Sequence, residues 1–221
     1  MGGFHIKYRQ SNNLYVGIRS TLRIPANLDG DSTKQVYPEF FHGFYYGDHG
    51  MDTGLYYKDG TFRLCSWAFL KTVPDVNKKW QEAALNKPIN KGDEILLKSY
   101  VQGSSLVSEV YRAGILLGKL ASPLSTAGAT QFANGSYMHR EMTIGANRND
   151  YAPSKAYFSN ATFTKSDVTK KGGITEILTQ RNSTLKAPYS DSLPVPSTFR
   201  YGGYTCDEGA YVADVASADC R

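Results

Sequence analysis

Apolar and polar side chains alternate along much of the chain, which is the spacing of β-strands rather than of helices. In the segment LYVGIRSTLRI, residues 14–24, the apolar set shares one parity and a largely basic set takes the other. This pattern predicts a strand with one face in a core and one basic face outside it. The apolar set is Leu14, Val16, Ile18, Leu22 and Ile24, and the opposite set is Tyr15, Arg19, Thr21 and Arg23.

The segment AYFSNATFT, residues 156–164, has apolar side chains on both parities. Tyr157, Ala161 and Phe163 share one parity, and Phe158 has the other. A strand that is apolar on both faces is typical of the middle of a sheet. The segment is therefore predicted to be a central strand.

Turn and helix signals complete the predicted secondary structure. Asp59-Gly60 between two β-rich runs predicts a tight hairpin, and a Gly-Ser turn at 103–105 predicts a second one. The segment 76–86, VNKKWQEAALN, is predicted as a helix that ends before Pro88, and the Gly/Ala/Ser/Thr-rich segment 122–136 as a loop. About ten strands in hairpin order with one short helix predict an all-β antiparallel sandwich or jelly roll.

The cysteines and the C-terminal segment suggest a body with an extension. From Lys170 the chain breaks into short extended pieces, so we predict a β-sandwich over residues 4–168 and an extension over 169–221 packed on it. A disulfide between Cys206 and Cys220 would pin this extension and stabilise it by about 3 kcal/mol in the chain-entropy model. Cys65, inside a strand pattern, is predicted to be a buried thiol. A disulfide favours a protein that is secreted or at the cell surface, and three free thiols in a cytosolic protein are the alternative.

The charge distribution limits the partners. The net charge is +5, and the 25 basic residues are scattered along the chain. This is too dispersed for a nucleic-acid surface, and no apolar run approaches the length of about 20 residues that a membrane span needs. Mild basicity suits an anionic polysaccharide or another cell-surface polymer, although it also serves solubility alone.

Two stretches carry a resemblance to known families. GANRNDYAPSKAYFSNATFT, residues 145–164, resembles the loop and last strand of concanavalin A-like lectin/glucanase jelly rolls. GFYYGDHGMDTGLYYKDGTFRLCSWAF, residues 43–69, together with FSNATFT, residues 158–164, resembles secreted YrpD-like proteins of bacilli. The resemblance covers about residues 14–168. It implies a concanavalin A-like fold in which one concave sheet carries the ligand.

If one sheet is concave, strand parity selects the residues that face the ligand. Aromatic rings stack on the C–H face of a sugar, and guanidinium groups hold carboxylates or hydroxyls. The predicted function is therefore a secreted, lectin-like protein that binds a glycan or cell-surface polymer. The predicted ligand-binding residues are Arg19, Arg23, Arg63, Trp67, Lys98, Tyr100, Glu109, Tyr111, Tyr137, His139 and Glu141.

Catalysis is the first alternative. A polysaccharide lyase needs a group that neutralises a uronate carboxylate and a group that moves a proton. A retaining glycoside hydrolase needs two carboxylates about 5–5.5 Å apart, for which Glu109 and Glu141 are the available pair. The Glu-x-Asp-x-Glu motif of laminarinases and the motifs of alginate lyases are absent, so an enzyme is the less favoured prediction. The lyase candidates are Arg63, Gln102, Tyr111 and His139.

Two loops rich in oxygen ligands are weak metal candidates. Asp29 and Asp31 lie in NLDGDST, and Asp48 and Asp52 lie in YGDHGMDTG. The first loop resembles the start of an EF-hand but lacks its bidentate glutamate, so a turn is the preferred interpretation. No cofactor is predicted beyond a possible structural calcium ion. A structural or interaction module without a small ligand is the second alternative for the function.

Overall fold

The chain forms two antiparallel β-sheets that face each other. The computed structural model describes residues 2–10, 12–146, 154–178, 183–190 and 214–219, and it describes side chains for 12–145 and 154–178. The predicted all-β sandwich is confirmed. Among the described residues, none of the helices has the length and hydrophobicity of a membrane span.

The first sheet has seven strands, and the order of its central strands differs from their order along the chain. The eleventh strand along the chain lies in this sheet and pairs there with the first and the fourth strands. Segments that are distant in the sequence are therefore neighbours in space. In spatial order the strands are β14 (Ser183–Ser190), β1 (Gly2–Gln10), β11 (Tyr137–Ala146), β4 (Val36–Tyr46), β5 (His49–Lys58), β6 (Thr61–Ala68) and β7 (Trp80–Ala83).

The second sheet has eight strands. Along its main path the strands are β10 (Ile115–Pro123), β9 (Ser105–Arg112), β8 (Glu94–Gln102), β2 (Tyr15–Arg23), β12 (Tyr157–Lys170) and β13 (Thr175–Ile177). Two short strands, β3 (Asn27–Asp29) and β15 (Asp214–Asp219), also pair with β12. The strand β12 therefore has neighbours on both sides, which confirms the predicted central strand.

Between the sheets, two apolar clusters lie on either side of a buried polar layer. Phe40 and Leu22 belong to one cluster, and Phe44 and Ile18 belong to the other. On each strand that crosses the middle of the core, a polar side chain stands between the two apolar sets. We call this layer the polar belt; it consists of Ser20, His42, Thr53, Ser66, Ser99, Ser108, Ser122, Arg140 and Ser166, all of them buried.

The alternation predicted for the first strand holds for most of its length. Ile18, Leu22 and Ile24 are buried in the core, whereas Arg19 and Arg23 are exposed. The prediction is wrong at the start of the segment, where Tyr15 is buried and Leu14 is half exposed. The pairing of β2 with β12 shifts register there, so parity does not continue through the shift.

The parity predicted for β12 is also wrong in part. Phe158, Ala161 and Phe163 all pack in the same core cluster, although Phe158 was predicted to face the other way. Asn160 has a positive φ of 58°, and the register shifts between Phe158 and Ala161. This β-bulge adds one residue to the strand, so residues with different parities reach the same face.

The predicted helix over residues 76–86 is wrong. Those residues contain a short 3₁₀ turn, Val76–Lys78, followed by strand β7, which pairs with β6 at the sheet edge. The α-helix α1 (Thr126–Asn134) lies instead in the segment predicted as a loop. Ser125 caps its first turn by accepting a hydrogen bond from the backbone N–H of Gly128. A second 3₁₀ turn, Leu70–Thr72, follows β6.

Both predicted hairpins are present. Asp59 and Gly60 have positive φ angles and join β5 to β6, and Gly103 begins the turn between β8 and β9. Cys65 is a buried free thiol, as predicted, and burial raises its pKa. The proposed Cys206–Cys220 disulfide lies outside the described residues.

Candidate active site

Three titratable side chains meet on the outer face of the seven-stranded sheet. Asp52 on β5 lies opposite Gly43 on β4, and Gly43 lies opposite His139 on β11, so the three residues form a row across adjacent strands. Glu141 follows His139 by two residues on the same strand and therefore faces the same side. All three titratable groups are buried, with 8% of Asp52, 4% of His139 and 1% of Glu141 exposed.

Gly43 makes the close approach of these groups possible. A Cβ atom at this position would lie 2.0 Å from Nε2 of His139 and 2.7 Å from Oδ1 of Asp52. The imidazole ring therefore lies directly over the glycine backbone, which no other residue would allow. The glycine forms the floor of the cluster.

The nitrogen Nε2 of His139 is the centre of the cluster. It lies 3.2 Å from Oδ1 of Asp52 and 3.1 Å from Oε2 of Glu141, so one ring nitrogen is within hydrogen-bond distance of two carboxylates. Each carboxylate is also fixed by a hydroxyl group on its other oxygen. Tyr45 donates to Oδ2 of Asp52 over 2.5 Å, and Thr143 donates to Oε1 of Glu141 over 2.6 Å.

This arrangement suits proton transfer. The two carboxylate oxygens and Nε2 lie within 4.8 Å of one another. A water molecule with two hydrogen bonds of about 2.8 Å can span such a separation. Groups this close exchange protons as a coupled set, in which one member can accept a proton while another donates one. The same three atoms could also hold a divalent metal ion, for which imidazole and carboxylates are suitable ligands.

Two solved structures resemble the chain over almost its full length. The scytalido-glutamic peptidase, bound to a peptide-based transition-state analogue, matches with a TM-score of 0.56 and 15% identity over 99% of this chain and 97% of its own. SCP-B, a member of the eqolisin family of peptidases bound to the tripeptide Ala-Ile-His, matches with a TM-score of 0.52 and 15% identity over 99% of this chain and 96% of its own. At this identity the likeness shows a shared fold.

The other comparisons show less similarity to known proteins. A laminarinase from Flavobacterium sp. UMI-01 matches over 64% of this chain and 67% of its own, with a TM-score of 0.37 and 11% identity. No protein-family model and no curated protein matches the chain. The narrower resemblance to YrpD-like proteins stays a prediction.

The predicted lectin-like function is wrong. The structures that share the fold over 99% of the chain are peptidases. The predicted ligand-binding residues also do not form one surface, because they lie on two different sheets. The eight-stranded sheet carries Arg19, Arg23, Lys98, Tyr100, Glu109 and Tyr111, and the seven-stranded sheet carries Arg63, Trp67, Tyr137, His139 and Glu141. Gln102, predicted only as a lyase candidate, lies on the eight-stranded sheet.

On the outer face of the eight-stranded sheet, the predicted residues mainly pair with each other. Glu109 accepts hydrogen bonds from the hydroxyls of Tyr100 and Tyr111, at 3.0 and 2.9 Å. Lys119 lies 3.2 Å and Lys98 3.9 Å from the Glu109 carboxylate. Burial alone would raise the pKa of Glu109, but the hydrogen bonds from Tyr111, Lys119 and Tyr100 outweigh it, so the pKa is lowered. The predicted pair of Glu109 with Glu141 is wrong, since the two lie on different sheets.

Several of the other predicted residues have local partners as well. Arg19 pairs with Asp167 at 2.7 Å, and Arg63 pairs with Glu82 at 2.9 Å. The carboxylate of Asp31 accepts the backbone N–H groups of Lys34 and Lys155, as the preferred turn interpretation implies. Asp29 accepts the backbone N–H of Gly30, and Asp48 pairs with Lys71.

All three members of the cluster are candidate site residues in the sequence analysis, but they are not predicted to lie together. Strand parity predicts His139 and Glu141 as sugar-binding residues, and Asp52 is predicted as a weak metal candidate. The alternate spacing of His139 and Glu141 on one strand was a usable signal, because it places both on one face. Asp52 joins them only through the pairing of β11 with β4, and no local pattern predicts that pairing. Tyr45 and Thr143, the two hydroxyl donors, were missed.

Proposed function

We propose that this protein is a peptidase that hydrolyses the amide bonds of its substrates and uses Asp52, His139 and Glu141 as its catalytic groups. The observation that carries the proposal is the convergence of two buried carboxylates on one imidazole nitrogen, at 3.1 and 3.2 Å. The fold supports it, because the two structures that match 99% of the chain are peptidases.

The chemistry needs a base and an acid on the same side of the substrate. An ionised carboxylate of the pair takes a proton from a water molecule, which attacks the carbonyl carbon of the scissile bond. A protonated member of the set then gives a proton to the leaving nitrogen, so that the amine departs in neutral form. Tyr45 and Thr143 hold the outer carboxylate oxygens, which leaves the inner oxygens directed at His139.

Glu141→Gln and Asp52→Asn test the proposal with a mixed peptide substrate at pH 3 to 8. Each variant keeps the shape of the side chain and removes its ability to take a proton. We expect a loss of about 10²–10⁴-fold in kcat/KM, the usual contribution of a general acid or base. Glu109→Gln is the matched control, because Glu109 is also a buried carboxylate with two hydroxyl donors but lies on the other sheet.

Other outcomes of these measurements would contradict the proposal. Peptide cleavage that survives both substitutions, or an equal loss in Glu109→Gln, would contradict the proposed site. A chelator such as EDTA should leave the rate unchanged if the carboxylates act directly. Release of reducing sugars from polysaccharides without any peptide cleavage would contradict the substrate class.

A further inference from the structure

Three aromatic rings contact one another beside the candidate active site. The Tyr45 ring stacks on His139 with centroids 5.1 Å apart, and Phe69 meets Tyr45 edge-on at 5.6 Å. Trp67 follows, with its ring centroid 5.3 Å from that of Phe69. We call Tyr45, Phe69 and Trp67 the aromatic shelf.

Exposure to solvent is greatest at Phe69, the middle ring of the shelf. The carboxylate of Glu141 is at the closed end, and Asp52 is the most exposed member of the catalytic cluster. Trp67 lies directly opposite Asp52 in the pairing of β5 with β6 and is partly exposed, while Phe69 is 38% exposed. The shelf is therefore the side from which an extended molecule can reach the cluster.

The backbone holds the shelf in position before any ligand binds. The N–H of Phe69 donates to the carbonyl of Gly50 over 2.9 Å, and the N–H of Gly50 donates to the hydroxyl of Thr72 over the same distance. A Cβ atom on Gly50 would lie 2.5 Å from the Tyr45 ring and 2.7 Å from the Phe69 ring. Both rings are thus held close to the Gly50 backbone, and such a preformed surface costs little entropy on binding.

We infer that the aromatic shelf selects substrates with a large apolar or aromatic side chain near the scissile bond, with Phe69 as the specificity-determining residue. This inference rests on the proposed peptidase function. Two ring-to-ring steps of 5.1 and 5.6 Å separate His139 from Phe69. An extended peptide advances by up to about 3.3–3.6 Å per residue, so a side chain within about three residues of the scissile bond reaches the shelf.

Next to Trp67, the shelf is bounded by a positive charge. The ammonium group of Lys79 lies 5.0 Å from the centroid of the Trp67 ring, a cation–π contact. Leu70, the residue after Phe69, is 55% exposed and extends the apolar surface. A basic substrate side chain is therefore disfavoured at this end, and an apolar one is accepted.

The test uses a peptide series that differs only in having Phe, Ala or Lys at one of the three positions on either side of the scissile bond. Partial burial of the Phe side chain on the shelf removes apolar surface from water, so kcat/KM for the Phe peptide should be at least about tenfold higher than for the Ala peptide. Phe69→Ala should reduce this preference to less than about threefold. Leu116→Ala is the control, because Leu116 is 40% exposed but lies on β10 of the other sheet.

Binding can be measured separately from catalysis. The chain has two tryptophans, and in a Trp80→Phe variant Trp67 is the single fluorescent reporter. With Glu141→Gln added to prevent cleavage, the Phe peptide should change the Trp67 emission, and the Lys peptide should not. If no peptide is cleaved by the unmodified protein, the proposed function fails, while this fluorescence change would still support the shelf. Cleavage without preference for Phe, or a full preference in both Phe69→Ala and Phe69→Glu, would overturn the inference.

Discussion

Two buried histidines lie on adjacent strands of the same sheet and have opposite environments. His42 on β4 points into the core, where its ring nitrogens lie 3.0 Å from the hydroxyl of Ser99 and 2.9 Å from that of Ser20. His139 on β11 points outward, and its Nε2 lies near the carboxylates of Asp52 and Glu141. Both partners of His42 are hydroxyl groups, and both partners of His139 are carboxyl groups.

This difference separates a structural histidine from a reactive one. Burial, together with the positive charge of Arg140, lowers the pKa of His42 from 6.5 to about 3, so its ring stays neutral over most of the pH range. A neutral ring with one donor and one acceptor nitrogen fits between two hydroxyls of the polar belt. His139 instead lies within hydrogen-bond distance of two carboxyl groups. Burial alone does not distinguish these roles, whereas the chemical type of the partners does.

The largest expected effect comes from exchanging each histidine for glutamine. His139→Gln keeps a donor for the carboxylates but cannot accept a proton, so kcat/KM for peptide cleavage should fall by about 10²–10⁴-fold. His42→Gln should leave kcat/KM of the folded enzyme within a small factor and should instead reduce the free energy of unfolding by about 1–3 kcal/mol, because its hydroxyl partners lose good geometry. Peptide kinetics combined with urea unfolding gives both readouts. Equal effects of the two substitutions on kcat/KM would remove the distinction between the histidines.

The second effect is the pH dependence of stability that His42 confers. Because the pKa of His42 is lower in the folded protein than in the unfolded chain, the unfolded state binds the extra proton. The contribution is fully present above pH 6.5 and is lost as the pH falls toward about 3, at up to about 1.4 kcal/mol per pH unit. Urea unfolding at intervals between pH 7 and pH 3 should show a shallower decline for His42→Gln than for the unmodified protein. Parallel curves for both proteins would show that His42 does not titrate in this window.

Sequence reasoning succeeded where strands are regular and failed where register shifts or distant strands pair. Ile18, Leu22, Arg19 and Arg23 face the sides that alternation predicts, because that part of β2 has no bulge. In β12 there is a β-bulge at Asn160, whose φ is positive, and it adds one residue to the strand. The alternation of apolar and polar residues does not predict such a bulge.

The candidate site could not be predicted from the sequence because it is formed by strands that are distant along the chain. The alternating strand pattern placed His139 and Glu141 on one face, but it could not place Asp52 beside them. That requires knowing that β11 lies next to β4, although 90 residues (47–136) separate the two strands in the sequence. The helix was misplaced for a related reason. Residues 80–83 have a helical composition, yet pairing with β6 makes them an edge strand, since tertiary contacts override weak local propensity.

The smallest expected effect comes from removing one hydroxyl partner from each environment. Ser99→Ala deletes a partner of His42 and should reduce the free energy of unfolding by about 1 kcal/mol, without moving the pH–rate profile. Thr143→Val preserves side-chain volume but deletes the donor to Oε1 of Glu141, so the ionised form of that carboxylate loses a stabilising hydrogen bond. The acidic limb of the pH–rate profile should then move toward higher pH, because a higher pH is needed to ionise the base. Peptide kinetics from pH 2 to 7 on both variants measures this shift. A profile that moves in Ser99→Ala but not in Thr143→Val would assign the proton-transfer chemistry to the core rather than to the outer face.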